Sequence, residues 1–247
     1  MYRVRSKWTL WIAVLVAGLL FLYGLLLFGD QVPGEGASGN GISKWVRSLQ
    51  EELQQSQPAS EDLGWELVLV NERYTVPDSF PGELVTLKNG KKVDARIYPD
   101  LQNMFDAARK DGLGLTVRSG YRTKESQQQV FDDKVAEFRQ EGRSGHKAKQ
   151  LAKEWVALPG HSEHELGLAV DINADEQVCS KEDLYLWLSQ NAIDYGFVCR
   201  YPSEKASITH VEHEPWHYRY VGKEHATAMK EKGLCLEEYV ETLSAKT

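Results

Sequence analysis

Cysteine is scarce in this 247-residue chain: there are three, and no two stand in CxxC spacing. That is too few for a disulfide-built scaffold and argues against a cysteine zinc site, so any metal here would need histidine and carboxylate ligands. Positive charge is also short. Thirty-six acidic residues face 29 basic ones, for a net charge of −7 and a pI of 5.6, and no basic stripe stands out. A nucleic-acid partner is excluded on that ground. No internal repeat is present. Long apolar runs are lacking except for one, at the start.

That run, Trp8 to Phe28, is 21 residues without a charge. At about 1.5 Å per residue it spans about 30 Å, the thickness of a bilayer core. Arg3, Arg5 and Lys7 precede it, and Asp30 and Glu35 follow it. The positive-inside rule then predicts a cytoplasmic N-terminus and an extracytoplasmic remainder. A cleaved signal peptide is the rival reading, but its apolar region would be about 7–15 residues with a small-residue site directly after it. Here the small-residue stretch, Gly34 to Gly39, comes late. No cysteine follows the run, which excludes a lipoprotein. The expected organisation is a transmembrane anchor over 1–29, a linker over 30–62, and one globular domain over 63–247. The expected location is the cell membrane, single-pass, with the domain outside. Within the linker, Lys44 to Gln55 places Trp45, Leu49 and Leu53 at i, i+4 and i+8, a short amphipathic helix.

In the domain, Trp65 to Val70 (WELVLV) reads as a strand. Asn89-Gly90 signals a hairpin between Leu84–Leu87 and Val93–Ile97. Pro99 opens a helix with Leu101, Met104, Phe105 and Ala108 inward. Leu115 to Val117 is a short strand. Helices are expected over Lys124–Gln140, Lys147–Val156, Asp183–Ala192 and Lys223–Lys232. Strands are expected over Leu168–Ile172, Phe197–Tyr201 and Thr209–Tyr220. Helices and strands alternate without regular βαβ units, so the fold class is α+β, with a mainly antiparallel sheet and flanking helices.

Two segments carry chemistry. In the first, His161-Ser162-Glu163-His164-Glu165-Leu166-Gly167-Leu168-Ala169-Val170-Asp171, strand alternation puts Leu168, Val170 and Ile172 on one face and Gly167, Ala169 and Asp171 on the other. A carboxylate among such small residues faces a space that something else fills, and His164 can reach the same space. In the second, Glu214-Pro215-Trp216-His217, His217 can supply a third ligand and Glu214 is spare. Two histidines and one carboxylate, with a position left to water, is a catalytic zinc arrangement. Spacing alone leaves His161, His210 and His213 as rival ligands. It equally allows Asp171 and a histidine to be a plain hydrogen-bonded pair.

The pattern S-x-H-x-x-G-x-A-x-D over Ser162–Asp171, followed by E-P-W-H over Glu214–His217, resembles the zinc D-alanyl-D-alanine carboxypeptidases. These are the VanY-like D,D-carboxypeptidases and related L,D-carboxypeptidases. Ser119-Gly120-Tyr121-Arg122 with Gln127, Gly196-Phe197 with Arg200-Tyr201-Pro202, and Trp216 to Gly222 extend the resemblance over about Trp65–Tyr239. It implies the hedgehog/D,D-peptidase-like zinc fold, with His164, Asp171 and His217 as ligands of Zn2+ and Glu214 as catalytic base. It places Arg122 and Gln127 at the substrate. An arginine there can grip a free terminal carboxylate or stabilise an oxyanion. Ser162 is expected to contact substrate or cap the local turn. His210 and His213 depart from the family pattern and read as supporting or surface positions.

The implied activity is removal of the C-terminal D-alanine from peptidoglycan stem peptides, by a monomer. Against it stand a zinc endopeptidase acting elsewhere in the stem, which the Arg122–Gln127 clamp disfavours, and a non-catalytic wall-binding module, which should lack the base or a ligand. Outside the cell thiols oxidise, so a Cys179–Cys199 bridge with Cys235 free is expected.

Overall fold

The computed structural model describes residues 63–245. The apolar run Trp8–Phe28 and the amphipathic stretch Lys44–Gln55 lie outside the described residues. Among the described residues no helix is long and apolar enough to cross a membrane.

A small hairpin comes first, β1 (Leu84–Thr86) against β2 (Lys92–Asp94), turned at Asn89-Gly90 where Gly90 has φ 80. Helix α1 (Tyr98–Lys110) follows, with Pro99 in its first turn and Leu101, Met104, Phe105 and Ala108 buried. Then come β3 (Leu115–Ser119), α2 (Lys124–Gln140), α3 (Gly145–Lys153), β4 (Ala169–Ala174), α4 (Lys181–Asn191), β5 (Phe197–Cys199), α5 (Ala206–Thr209), β6 (His217–Tyr220), α6 (Lys223–Lys232) and α7 (Leu236–Ser244). Helices α2, α3 and α4 begin at Thr123, Ser144 and Ser180, whose side chains accept from backbone N–H groups of the first turn.

The main sheet has the order β3-β4-β6-β5, antiparallel throughout. The α+β class and the antiparallel sheet are as the sequence predicts. One face of the sheet is apolar: Leu168, Val170 and Ile172 are fully buried there with α1 and with Leu184 and Leu188 of α4. A second cluster joins Val198 to Ala226, Met229, Leu236, Tyr239 and Val240 of α6 and α7. Helices α2 and α3 form a hairpin around Phe131, Val135, Ala148 and Ala152.

Three expectations need correction. The WELVLV stretch is not a strand; Trp65–Leu67 is a 3-10 turn, and the segment then runs extended. Its carbonyls at Glu66 and Val68 accept from the buried guanidinium of Arg219 instead of from a neighbouring strand. Thr209–Tyr220 is a strand only over His217–Tyr220. It is preceded by α5, ended by His210 in the left-handed region (φ 57), and by a turn in which His217 N–H donates to the Glu214 carbonyl.

The third concerns sulfur: all three cysteines are free. Cys179 donates to the carbonyl of Gly114, just ahead of β3, while Cys199 ends β5 at the opposite edge. Three strand spacings separate those edges, about 14 Å, whereas a disulfide needs Cα atoms within about 7 Å. Non-reducing mass analysis should therefore find no bridge and three titratable thiols in denaturant. In the folded protein Cys199 and Cys235 should react slowly, because burial pushes both thiols up to about 11. A bridged Cys179–Cys199 peptide would overturn this arrangement.

Candidate metal centre and active site

Sheet register builds the site. Ser119 of β3 lies opposite Asp171 of β4, and Asp171 lies opposite His217 of β6. Directly opposed residues of antiparallel strands hold their Cβ atoms about 4.5–5.5 Å apart. Three polar side chains thus form a row across the sheet face opposite the apolar core.

His164 joins from a 3-10 turn, Glu163–Leu166, just before β4. Ser162 caps that turn, its hydroxyl accepting from His164 N–H. Gly167 closes it at φ 76. The imidazole is oriented by its Nδ1, 2.8 Å from the Gly120 carbonyl, which leaves Nε2 facing Asp171 Oδ2 at 3.3 Å. Gly120 itself sits where a Cβ would collide with the Lys92 carbonyl of β2. A side chain there would drive the hairpin away and take the carbonyl that holds His164 with it.

His217 Nδ1 is 3.2 Å from Asp171 Oδ1 and 3.4 Å from Glu214 Oε2. One ligand atom from each of His164, Asp171 and His217 lies within 4.8 Å of the others, and among the described residues no other His, Cys, Asp or Glu group meets that test. The rivals are placed elsewhere. His161 Nδ1 bonds the Asn71 carbonyl, His213 Nδ1 bonds the Tyr201 carbonyl, and His210 is exposed beside Glu72.

The electrostatics suit a divalent cation. Burial alone would raise the Asp171 carboxyl, but the two imidazoles hold it well below the usual carboxylate range. Burial alone would lower His217, yet the Asp171 and Glu163 carboxylates beside it push it up to about 9. The cluster thus draws positive charge to the point between its members. Asp171 Oδ1 is buried without a hydrogen-bond partner, an orphaned acceptor at that same point. Two imidazole nitrogens and a carboxylate are the donor set zinc takes, so the residues fit the ion.

A cleft of about 200 Å³ opens over this cluster, bounded by α2, the end of α3 with Trp155, and Tyr201 and Trp216. Glu214 lines it, buried, its carboxyl pushed up to about 7 by burial and by Asp171, against the pull of His217 and Arg122. Arg122 also lines it. Its Nε donates to Ser119 Oγ (2.8 Å), Nη1 to Gln127 Oε1 (3.1 Å) and Nη2 to Asp171 Oδ2 (3.0 Å). Of the five guanidinium N–H groups, two remain for a ligand. Gln127 is buried on α2 and its amide donates to the Ala157 carbonyl. It therefore fastens the arginine to the cleft wall.

Sequence reasoning passed over Glu163, which stands beside His164 in the motif. Its side chain is fully buried, and Oε1 accepts from Arg200 Nε (2.8 Å) and Arg219 Nη1 (2.9 Å). Burial would raise this carboxyl, and the two guanidinium groups hold it well below the usual range. The available signal was the pair Arg200 and Arg219, each in or beside a predicted strand where a charge needs a buried partner.

The family model for VanY, D-alanyl-D-alanine carboxypeptidase, matches residues 90–223. A D-alanyl-D-alanine carboxypeptidase of Enterococcus faecalis is 47% identical over 219 residues, 88% of this chain and 82% of that protein. A solved structure of VanYB in complex with D-alanine-D-alanine is 52% identical, with a TM-score of 0.71 over 72% of this chain and 99% of its own. A second, a mutant of the vancomycin-resistance D,D-pentapeptidase VanY in complex with Zn(II), is also 52% identical, with a TM-score of 0.70 and the same coverage. With its zinc-type ligand cluster, its α+β fold and these relatives, the chain belongs to the VanY family of D-alanyl-D-alanine carboxypeptidases.

Proposed function

We propose that this protein is a zinc-dependent D,D-carboxypeptidase that removes the terminal D-alanine from peptidoglycan stem peptides. The observation that carries the reading is the buried His164–Asp171–His217 cluster on the floor of a cleft that also holds Glu214 and Arg122. His164, Asp171 and His217 would hold the zinc ion. When bound, the ion supplies Lewis-acid polarisation of the scissile carbonyl and a water of lowered pKa.

This chain's own residues supply the rest. Glu214 accepts the proton of the attacking water and returns it to the departing D-alanine amine, a task suited to a carboxyl poised at about 7. Arg122 presents its two spare N–H groups to a substrate oxygen, either the free terminal carboxylate or the oxyanion of the tetrahedral intermediate. Ser119 and Gln127 keep that fork in place, so the part Gln127 plays in substrate binding runs through Arg122. Ser162 lines the cleft and caps the turn that carries His164.

Arg122→Ala should retain zinc and lose about 10²–10³-fold in turnover, the usual effect of removing one oxyanion-type donor. Zinc content beside kcat/KM on a peptide ending in D-Ala-D-Ala measures it. Near-parental turnover would remove Arg122 from the mechanism.

Preference for a D,D over an L,D bond is supported by the 52% identity to a protein solved with D-alanine-D-alanine. Mass spectrometry of muropeptides incubated with the protein tests this. Pentapeptide stems should lose one alanine and tetrapeptide stems should stay intact. Shortening of tetrapeptides instead would show L,D activity, and no shortening of either would defeat the reading.

The apolar run Trp8–Phe28, with basic residues before it and acidic ones after it, supports a single-pass anchor over 1–29 and a linker over 30–62. These would hold the domain from residue 63 onward outside the membrane, within reach of the wall. Protease added to protoplasts should remove the domain and leave a small membrane-bound stub. A mature protein beginning near residue 37 would show a cleaved signal peptide instead.

A further inference from the structure

His217 has two ring nitrogens, and the fold presents them to different surroundings. Nδ1 faces Asp171 and Glu214, where the metal ligands converge. Nε2 points away, to Glu163 Oε2 at 3.7 Å. Both Nε2 and Glu163 Oε2 are buried, and neither has a hydrogen-bond partner. Two orphans of opposite kind thus face one another across a gap less than about 1 Å too long for a hydrogen bond. A buried donor and a buried acceptor left apart each carry an uncompensated desolvation cost, so a small side-chain shift that joins them is favoured.

Glu163 cannot turn away from this arrangement. Its Oε1 is held by Arg200 and Arg219. Arg200 is clamped in turn by both oxygens of Glu237 on α7, at 2.9 and 2.6 Å. Arg219 is fixed by the carbonyls of Glu66, Val68 and Tyr220. One carboxylate oxygen is therefore immobilised in a cage of guanidinium groups, and the other is aimed at His217.

We infer that Glu163, caged by Arg200, Arg219 and Glu237, is the positioning residue that fixes the proton of His217 on Nε2 and so turns the Nδ1 lone pair toward the metal. The inference rests on the reading that His164, Asp171 and His217 bind zinc. It gives the two histidines opposite orientations. His164 is held through Nδ1 by the Gly120 carbonyl and offers Nε2, whereas His217 is held through Nε2 by a carboxylate and offers Nδ1. A histidine whose far nitrogen donates to a carboxylate is a stronger metal ligand, and losing such a partner weakens metal binding by about 10- to 100-fold. The cage also links the C-terminal helix toward the metal centre, by hydrogen bonds from Arg200 to Glu237 and to Glu163, with the 3.7 Å approach of Glu163 to His217 as its last step.

Long-range proton–nitrogen correlation spectra of the full chain, nitrogen-15-labelled and zinc-loaded, read ring protonation directly. The expected result is metal at Nδ1 and a proton at Nε2 for His217, with the reverse for His164. Metal at Nε2 of His217 would overturn the inference and leave the zinc site standing. A His217 spectrum unchanged by zinc would overturn the metal site itself. In Glu163→Gln, competition against a chromophoric chelator should show zinc affinity lowered by about 10- to 100-fold, with the far-ultraviolet circular dichroism of the parent. Parental affinity would contradict the inference. If that variant does not fold, the spectrum of the natural chain decides alone.

Discussion

Glu214→Ala should keep its zinc and lose about 10²–10⁴-fold in turnover, the range expected for one general acid–base group. Zinc should stay because Glu214 is not among the three convergent ligand residues, although its Oε2 comes within 3.4 Å of His217 Nδ1. Turnover should fall because among the described residues no other free carboxylate faces the cleft. Asp171 is committed to the imidazoles and Arg122, and Glu163 is sealed behind His217. Metal analysis beside alanine release on one preparation separates the two effects. A fully active Glu214→Ala would remove the proposed base.

His217→Ala should lose metal and activity together. The imidazole fills the space between Asp171, Glu214 and Glu163, and it is buried. Its removal takes one of three ligands and leaves the carboxylates of Asp171 and Glu214 without the ring that both approach. Two protein ligands do not make a catalytic zinc site of the usual three. The nearby histidines cannot substitute, because His213 is turned to the Tyr201 carbonyl and His210 is exposed and held in a left-handed conformation. Zinc retained at one equivalent would point to one of these as the true third ligand.

The two variants together distinguish the account from its alternatives. A non-catalytic wall-binding module on the same fold would show no turnover to lose in either. A site in which Glu214 were a ligand would lose metal in both.

Much of this site was legible in the sequence because it follows strand alternation. Leu168, Val170 and Ile172 alternate with Ala169 and Asp171, and that period of two places the carboxylate on the polar face and the apolar residues in the core, as the structure does. The row Ser119–Asp171–His217 was not legible. It depends on register between strands far apart in the chain, which no local pattern encodes.

Some of the errors share that origin, and others lie in local signals. WELVLV has strand composition, but the groups that satisfy its backbone come from Arg219, about 150 residues away in sequence. The stretch before His217 departs from a strand because Pro215 has no N–H for a ladder and because His210 turns into the left-handed region, which the sequence does not show. Helix α7 was passed over although Leu236, Tyr239, Val240 and Leu243 recur at helical spacing and Glu238 reaches back to the Cys235 backbone N–H. Glu163 escaped notice because a glutamate beside a metal-type histidine looks solvent-facing until both arginines that bury it are placed. The Cys179–Cys199 bridge failed because compartment chemistry says thiols can oxidise, while only sheet order says whether they meet.

Under the proposed function, zinc bound by His164, Asp171 and His217 sustains D-alanine release. The most direct measurement follows zinc content and alanine release together on the full chain, first as purified, then stripped with a chelator, then titrated back with zinc. The account predicts loss of activity on stripping and recovery in proportion to zinc, with full activity at one ion per chain. Alanine release that persists in the stripped protein, or that fails to return while zinc binds at one equivalent, would contradict it.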